Sequence, residues 1–149
     1  MGLANLNKGK TGEREMAIIL RSELQNVCRN MGLNRDIEMR LIREIQRNQN
    51  QSAVGGSDIN FFGLNFEVKR REQLQIEAWW KQVLKSVEGT DNIPILAYRQ
   101  NHKKWKFMLF AVIPLGNGQG VNVRVNVEYE QFMIWFRLYV SHYLVKNVQ

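Results

Sequence analysis

Ser57 to Arg71 reads Ser-Asp-Ile-Asn-Phe-Phe-Gly-Leu-Asn-Phe-Glu-Val-Lys-Arg-Arg, and no other stretch restricts the fold as much. Two apolar runs, Asp58–Phe62 and Leu64–Arg70, flank Gly63. β-Branched and aromatic residues on both sides of a turn former predict a β-hairpin. Side chains alternate along a strand, so Asn65, Glu67 and Lys69 share one face, and Phe66 and Val68 share the other. Asp58 opens the first strand, across from the Glu67–Lys69 end of the second. Two carboxylates and an ammonium therefore converge at one end of the hairpin. The carboxylates are hard oxygen donors suited to Mg²⁺ or Mn²⁺. A lysine beside them would orient or deprotonate a metal-bound water, or neutralise charge on a phosphoryl transition state.

A chain of 149 residues, 44% hydrophobic and 23% charged, is sized for one globular domain with a single sizeable core. Its net charge of +7 favours a polyanion as partner over a membrane surface, although many small basic proteins bind no nucleic acid. The single cysteine, Cys28, excludes an intrachain disulfide and a cysteine metal cluster. Its apolar helical setting predicts an inert core thiol and fits a reducing, cytoplasmic compartment. The first residues lack the basic and apolar regions of a signal peptide. No uncharged apolar run reaches the ~18–20 residues of a membrane span. Phe132–Val145 comes nearest but carries Arg137 and His142.

Residues 1–10 read as a loose polar tail, with Lys8 and Lys10 beside Gly9. Thr11 is placed to cap a helix running to Gly32, with Ala17, Leu20, Leu24 and Val27 as its buried stripe. Glu13 lies on that stripe, one turn before Ala17. An acid there either favours the positive helix end or reaches a site at a sheet edge. Leu33–Met39 fits a short helix or a strand, and the alternation of Arg40–Arg47 predicts a strand. Residues 48–56 read as a polar loop in which Ser52 or backbone amides could meet phosphates. Arg70 and Arg71 begin a basic patch.

Leu74–Val87 has helical spacing, with Ile76, Trp80, Val83, Leu84 and Val87 as its core face. Trp79 and Gln82 lie on the flank, where Trp79 is either packing or a stacking surface, and Lys81 and Lys85 face solvent within reach of phosphates. Ile93–Arg99 and Trp105–Val112 read as strands joined by a basic turn, and Val121–Val127 as a half-buried strand. Glu128–Lys146 is expected to be a helix. Its aromatic face, through Trp135, Phe136, Tyr139 and Tyr143, is either core or a subunit contact. The glycines of residues 114–120 lack the strand-to-helix setting of a nucleotide-binding loop. With only His102 and His142 present, a histidine metal site is not expected.

The order of helix with Glu13, strand, loop, Asp58, Glu67-Val68-Lys69, helix and strands resembles the PD-(D/E)xK nuclease superfamily. Within it, the chain is most similar to the Holliday-junction resolvases of archaea and phages, through Lys8-Gly9-Lys10-Thr11-Gly12-Glu13-Arg14-Glu15. The likeness covers roughly Lys8 to Arg99, and no motif covers the third of the chain from Trp105. Ser57 stands where the family's structural proline usually is. The resemblance implies an α/β, restriction-endonuclease-like core over about 8–112: a central mixed sheet flanked by helices, with an extra C-terminal strand and helix over 121–147.

It also implies that Glu13, Asp58 and Glu67 are metal-ligand or site acids and that Lys69 is the catalytic lysine. The Val68 carbonyl would be a further ligand of Mg²⁺, for which Mn²⁺ would substitute. Lys8, Lys10, Ser52, Arg70, Arg71, Trp79, Gln82 and Lys85 would contact DNA. The activity implied is metal-dependent hydrolysis of DNA phosphodiester bonds, at four-way junctions and by a homodimer, in the cytoplasm of a bacterial or phage-infected cell. The rivals are a nuclease of the same superfamily for linear, nicked or flap DNA, and a non-catalytic nucleic-acid-binding protein of the same fold.

Overall fold

A computed structural model of the chain describes residues 3–48 and 57–148, with side chains from residue 9 on. The elements are α1 (Leu3–Asn30), α2 (Arg35–Ile42), β1 (Ile59–Phe61), β2 (Leu64–Arg70), α3 (Ile76–Ser86), β3 (Ile93–Arg99), β4 (Lys106–Pro114), β5 (Gly120–Glu128) and α4 (Tyr129–Asn147). The strands form one mixed sheet in the order β1-β2-β3-β4-β5. β2 and β3 are parallel, from Leu64 opposite Ile93 to Arg70 opposite Arg99, and the other pairs are antiparallel. A parallel pair cannot be closed by a tight turn, and α3 supplies the crossover.

Each face of the sheet buries a different set of side chains. Phe66 and Val68 of β2 point to one face, where Leu20 and Leu24 of α1 and Phe132 and Phe136 of α4 pack on them. Trp79, Trp80 and Val83 of α3 pack on the other face, against Leu96, Tyr98 and Met108. The expected α1 stripe of Ala17, Leu20, Leu24 and Val27 is buried, and so is Cys28. The sheet is thus flanked by α1, α2 and α4 on one side and α3 on the other.

The expected hairpin is present, and its turn is unusual. Phe62 and Gly63 both have left-handed backbone, with φ of 50° and 77°. A two-residue hairpin favours such a pair because its twist matches that of the strands. Gly63 adopts this conformation without a Cβ to clash, but Phe62 needs outside support. Its ring stacks on Tyr143 at 4.6 Å, and its carbonyl accepts the Tyr139 hydroxyl at 2.6 Å. α4 therefore clamps the turn that sets the hairpin register.

Several elements differ from the sequence expectation. α1 begins at Leu3 and not at Thr11, so the Lys8-Gly9-Lys10 tail is helical. Arg40–Arg47 is not a strand: α2 runs to Ile42, with Asn34 capping it by accepting the Ile37 N–H at 2.9 Å. Only Arg47 reaches the sheet, through an isolated bridge to Ile59. The strand expected ahead of the loop is reduced to that bridge. The C-terminal aromatic face is core, since Phe136 is fully buried and Trp135, Tyr139 and Tyr143 pack against the same cluster. The loop expected over 48–56 lies outside the described residues from residue 49 on, and Ser52 with it.

Candidate active site

Two glycines bring α1 to the hairpin. A Cβ at Gly12 would stand 3.0 Å from Arg70 Cβ, and one at Gly9 would stand 3.3 Å from Arg71 Nη2. At Gly12 the missing side chain lets Arg70 of β2 lie this close to α1, whereas at Gly9 it leaves room for the tip of the Arg71 side chain. Glu13 follows Gly12 and is thereby held beside the strand that carries Glu67.

Asp58, 4% exposed, is fixed from three directions. Its N–H donates to the Phe66 carbonyl at 2.9 Å, and its own carbonyl accepts the Asn48 N–H at 2.8 Å. Its Oδ2 accepts the Val68 N–H at 2.7 Å. Asp58 also lies within hydrogen-bonding reach of both Glu13 and Glu67. The structure thus brings Glu13, Asp58 and Glu67 together.

Each glutamate has a cationic neighbour. Lys69 Nζ is 3.3 Å from Glu67 Oε1, and Arg47 Nε donates to Glu13 Oε2 at 2.8 Å. Burial pushes the Glu67 carboxyl above its ordinary value, while Lys69 pulls it down. Burial, followed by the charge of Asp58, pushes Glu13 up, and Arg47 opposes this. Three formal carboxylate charges face two cations, which leaves the cluster one negative charge in excess.

The chemistry of the donors fits a hard divalent cation, which prefers carboxylate oxygens and needs an excess of negative charge. The buried Ser57 Oγ, next to Asp58, has no hydrogen-bond partner among the described residues. Among those residues no group of three acidic, histidine or cysteine side chains is set in a ready ligand arrangement. Glu13 is turned to Arg47, and Glu67 to Lys69.

A basic rim adjoins the acids. Glu15 accepts the Trp105 indole N–H at 2.9 Å and binds Arg99 Nη2 at 3.2 Å, with Arg70 Nη1 at 3.5 Å. The Arg99 guanidinium lies over the Trp105 ring, 5.6 Å from its centroid. Sequence reasoning missed Arg99 and Arg47. The parallel register that sets Arg99 opposite Arg70 is the signal for the first. The second had no local signal, because Arg47 was placed in the wrong element.

Of the other residues expected at DNA, Arg70 and Arg71 are half-buried at this rim, and Lys10 is exposed on α1. Gln82 and Lys85 are exposed on α3, neither hydrogen-bonded nor ion-paired to the acids. Trp79 is only 6% exposed, inside the α3 core, so it offers no ring face for base stacking. The Lys8 side chain lies outside those described.

A family described as "Phage putative PDDEXK endonuclease" matches residues 4–135. The match runs past Arg99, where the motif likeness ends, through β4 and β5 and into α4. No curated protein and no solved structure matches the chain. The mixed five-stranded sheet flanked by helices is that of a restriction-endonuclease-like fold. By the span of this match, which takes in every acid of the cluster, the chain belongs to the phage PD-(D/E)xK endonuclease family.

Proposed function

We propose that the protein is a Mg²⁺-dependent endodeoxyribonuclease that cuts four-way branched DNA as a homodimer, with Mn²⁺ able to replace Mg²⁺. The observation that carries this reading is the meeting of Glu13, Asp58 and Glu67 beside Lys69. Asp58 and Glu67 would hold the metal, with the Val68 carbonyl as a neutral oxygen and Glu13 completing the set. When bound, the ion would supply charge neutralisation at the scissile phosphate and acidify a water. Lys69, already at Glu67, would orient the attacking water. Arg70, Arg71 and Arg99 would grip flanking phosphates, with Glu15 holding two of these guanidinium groups in place.

The likeness of residues 8–15 to junction resolvases supports the branched substrate, and stoichiometry supports the dimer. One acidic site cuts one strand, and a four-way junction has approximate two-fold symmetry. A dimer with matched sites meets that need. With the aromatic face of α4 used in the core, the contact could use Ile134, Leu138 and Val145 on its outer side, or Phe110, Val112, Ile113, Leu115 and Val121 of the β4–β5 hairpin, which are exposed too. The site of action would be the cytoplasm of the infected host. No helix among the described residues is long and apolar enough to cross a membrane.

The test is incubation with Mg²⁺ or Mn²⁺ and matched junction, flap, nicked, duplex and single-stranded DNAs, with light scattering for mass. Paired incisions at the junction by a dimer are expected. Nicking of plain duplex as fast as the junction by a monomer would defeat the junction reading and leave the nuclease. No cleavage of any substrate in either metal would defeat both.

A further inference from the structure

We infer that Arg47 is the resident counter-ion of the acidic site: it holds Glu13 in the metal-free protein, yields it when a divalent cation enters, and turns to the DNA phosphate. The inference rests on the nuclease reading and assigns Arg47 a part in it.

Arg47 reaches the acids because its backbone is tied to the hairpin. It bridges to Ile59, and the next residue, Asn48, donates its N–H to the Asp58 carbonyl and its Nδ2 to the Ser57 carbonyl, both at 2.8 Å. The root of the side chain is therefore fixed at the strand that Asp58 opens. Its head is bonded to Glu13 by one nitrogen, Nε. With side chains 19% and 12% exposed, Arg47 and Glu13 form a pair that water screens only partly.

Glu13 cannot give the same lone pair to Arg47 and to a metal. Arg47 occupies Oε2 of Glu13 alone, so a divalent ion that engages Oε2 or takes both oxygens displaces Arg47, while Asp58 can remain on the Val68 N–H and Glu67 beside Lys69. Once displaced, the guanidinium remains close by, since its backbone does not leave the strand. A planar fork of five N–H donors is suited to a phosphate, and the phosphate that comes to this place is the substrate's. Arg47 thus acts as a positioning residue: it offsets the repulsion among the acids before the metal arrives and neutralises phosphate afterwards.

Calorimetric titration of the apoprotein with Mn²⁺ at pH about 8 tests this. Losing a charge-assisted competitor should make Arg47→Gln bind Mn²⁺ roughly tenfold more tightly than wild type. Its binding to junction DNA in Ca²⁺ should weaken, with the salt slope smaller by about one. Equal or weaker Mn²⁺ binding by folded Arg47→Gln would overturn the inference and leave Arg47 as a structural brace for Glu13. If that variant does not fold, the Arg47 Nε–H resonance of wild type decides. It should shift as Mg²⁺ saturates the site, and a resonance that stays in place overturns the inference. Failure of wild type to bind Mn²⁺ would overturn the metal-dependent nuclease reading with it, whereas normal wild-type binding without a gain in the variant overturns the inference alone.

Discussion

Asp58 accepts the backbone N–H of Val68 through Oδ2 at 2.7 Å, a buried bond across the hairpin. The same carboxylate therefore does two jobs. It completes the polar pairing of β2 next to Glu67, and it holds a negative charge where the acids meet. Asparagine preserves the first job and removes the second.

Asp58→Asn is accordingly expected to keep the fold and lose cleavage. An asparagine carbonyl still accepts the Val68 N–H, and the lost charge relieves repulsion with Glu13 and Glu67. The melting temperature in the absence of metal should stay level or rise. Glu67→Gln should behave alike. Undiminished cleavage by purified Glu67→Gln in Mg²⁺ would sink the site assignment.

Lys69→Ala separates chemistry from binding. A positioned proton-handling group contributes about 10²–10⁴ in rate, so turnover should fall by that order. Junction affinity measured in Ca²⁺ should change little, because the rim carries several other cations. Arg70→Ala and Arg99→Ala together should do the reverse, weakening binding and lowering the salt slope by about one per lost phosphate contact. Normal turnover in Lys69→Ala would place the water-orienting group elsewhere.

Trp79→Ala should act on stability. The indole is enclosed by Leu96, Tyr98 and Met108 with its α3 neighbours, and emptying such a site costs about 3–5 kcal/mol. A lower urea midpoint with unchanged DNA affinity of the folded protein is the expected pair of results. A large loss of affinity at unchanged midpoint would return the ring to the DNA surface.

The raised carboxyls of Glu13 and Glu67 make a prediction about pH. Both take up protons more readily in the folded chain than at the ordinary value of 4.5. Their contribution to stability is full below that value and is lost as pH rises through the folded values. Metal-free protein should therefore lose stability as pH rises above the ordinary carboxylate value of 4.5 and through the higher folded values. Glu67→Gln should show a shallower loss, and saturating Mg²⁺ should flatten the profile by taking the place of the protons. Urea midpoints across this range check it, and a profile equally steep in Glu67→Gln would assign the dependence to other groups.

The hairpin and its acids were legible because alternation, turn residue and charge all lie within fifteen consecutive positions, Ser57 to Arg71. α1, α3 and α4 were legible from spacing, and α2 was not. The misreadings have particular causes. Gly9 and Gly12 look like breakers, yet both lie within α1, where Gly12 lets Arg70 of β2 come close and Gly9 faces the Arg71 guanidinium. In Leu41, Arg43, Ile45 and Arg47 the alternation imitates a strand, although Asn34 with Asp36 and Glu38 after it is a helix-start signal that outweighs it. Trp79 and the aromatics of α4 are large apolar groups whose burial depends on partners far along the chain. Arg47 at Glu13 is a long-range contact that no local pattern encodes.

The division of the acids between α1 and the hairpin bears on the order of assembly. Asp58, Glu67 and Lys69 meet as soon as a local hairpin closes, a step of about 1–10 μs. Glu13 joins only after α1 finds β2, and the core that holds α1 there also needs α4, the last element of the chain. Loop closure of this kind comes late in folding. Pulse-labelled amide exchange should show β1 and β2 protected before the packed half of α1, and simultaneous protection would contradict this sequence of events. On the proposed nuclease reading, a chain still leaving the ribosome would carry its first acid far from the others, and its reactivity toward nearby nucleic acid would be withheld until the tertiary structure is complete.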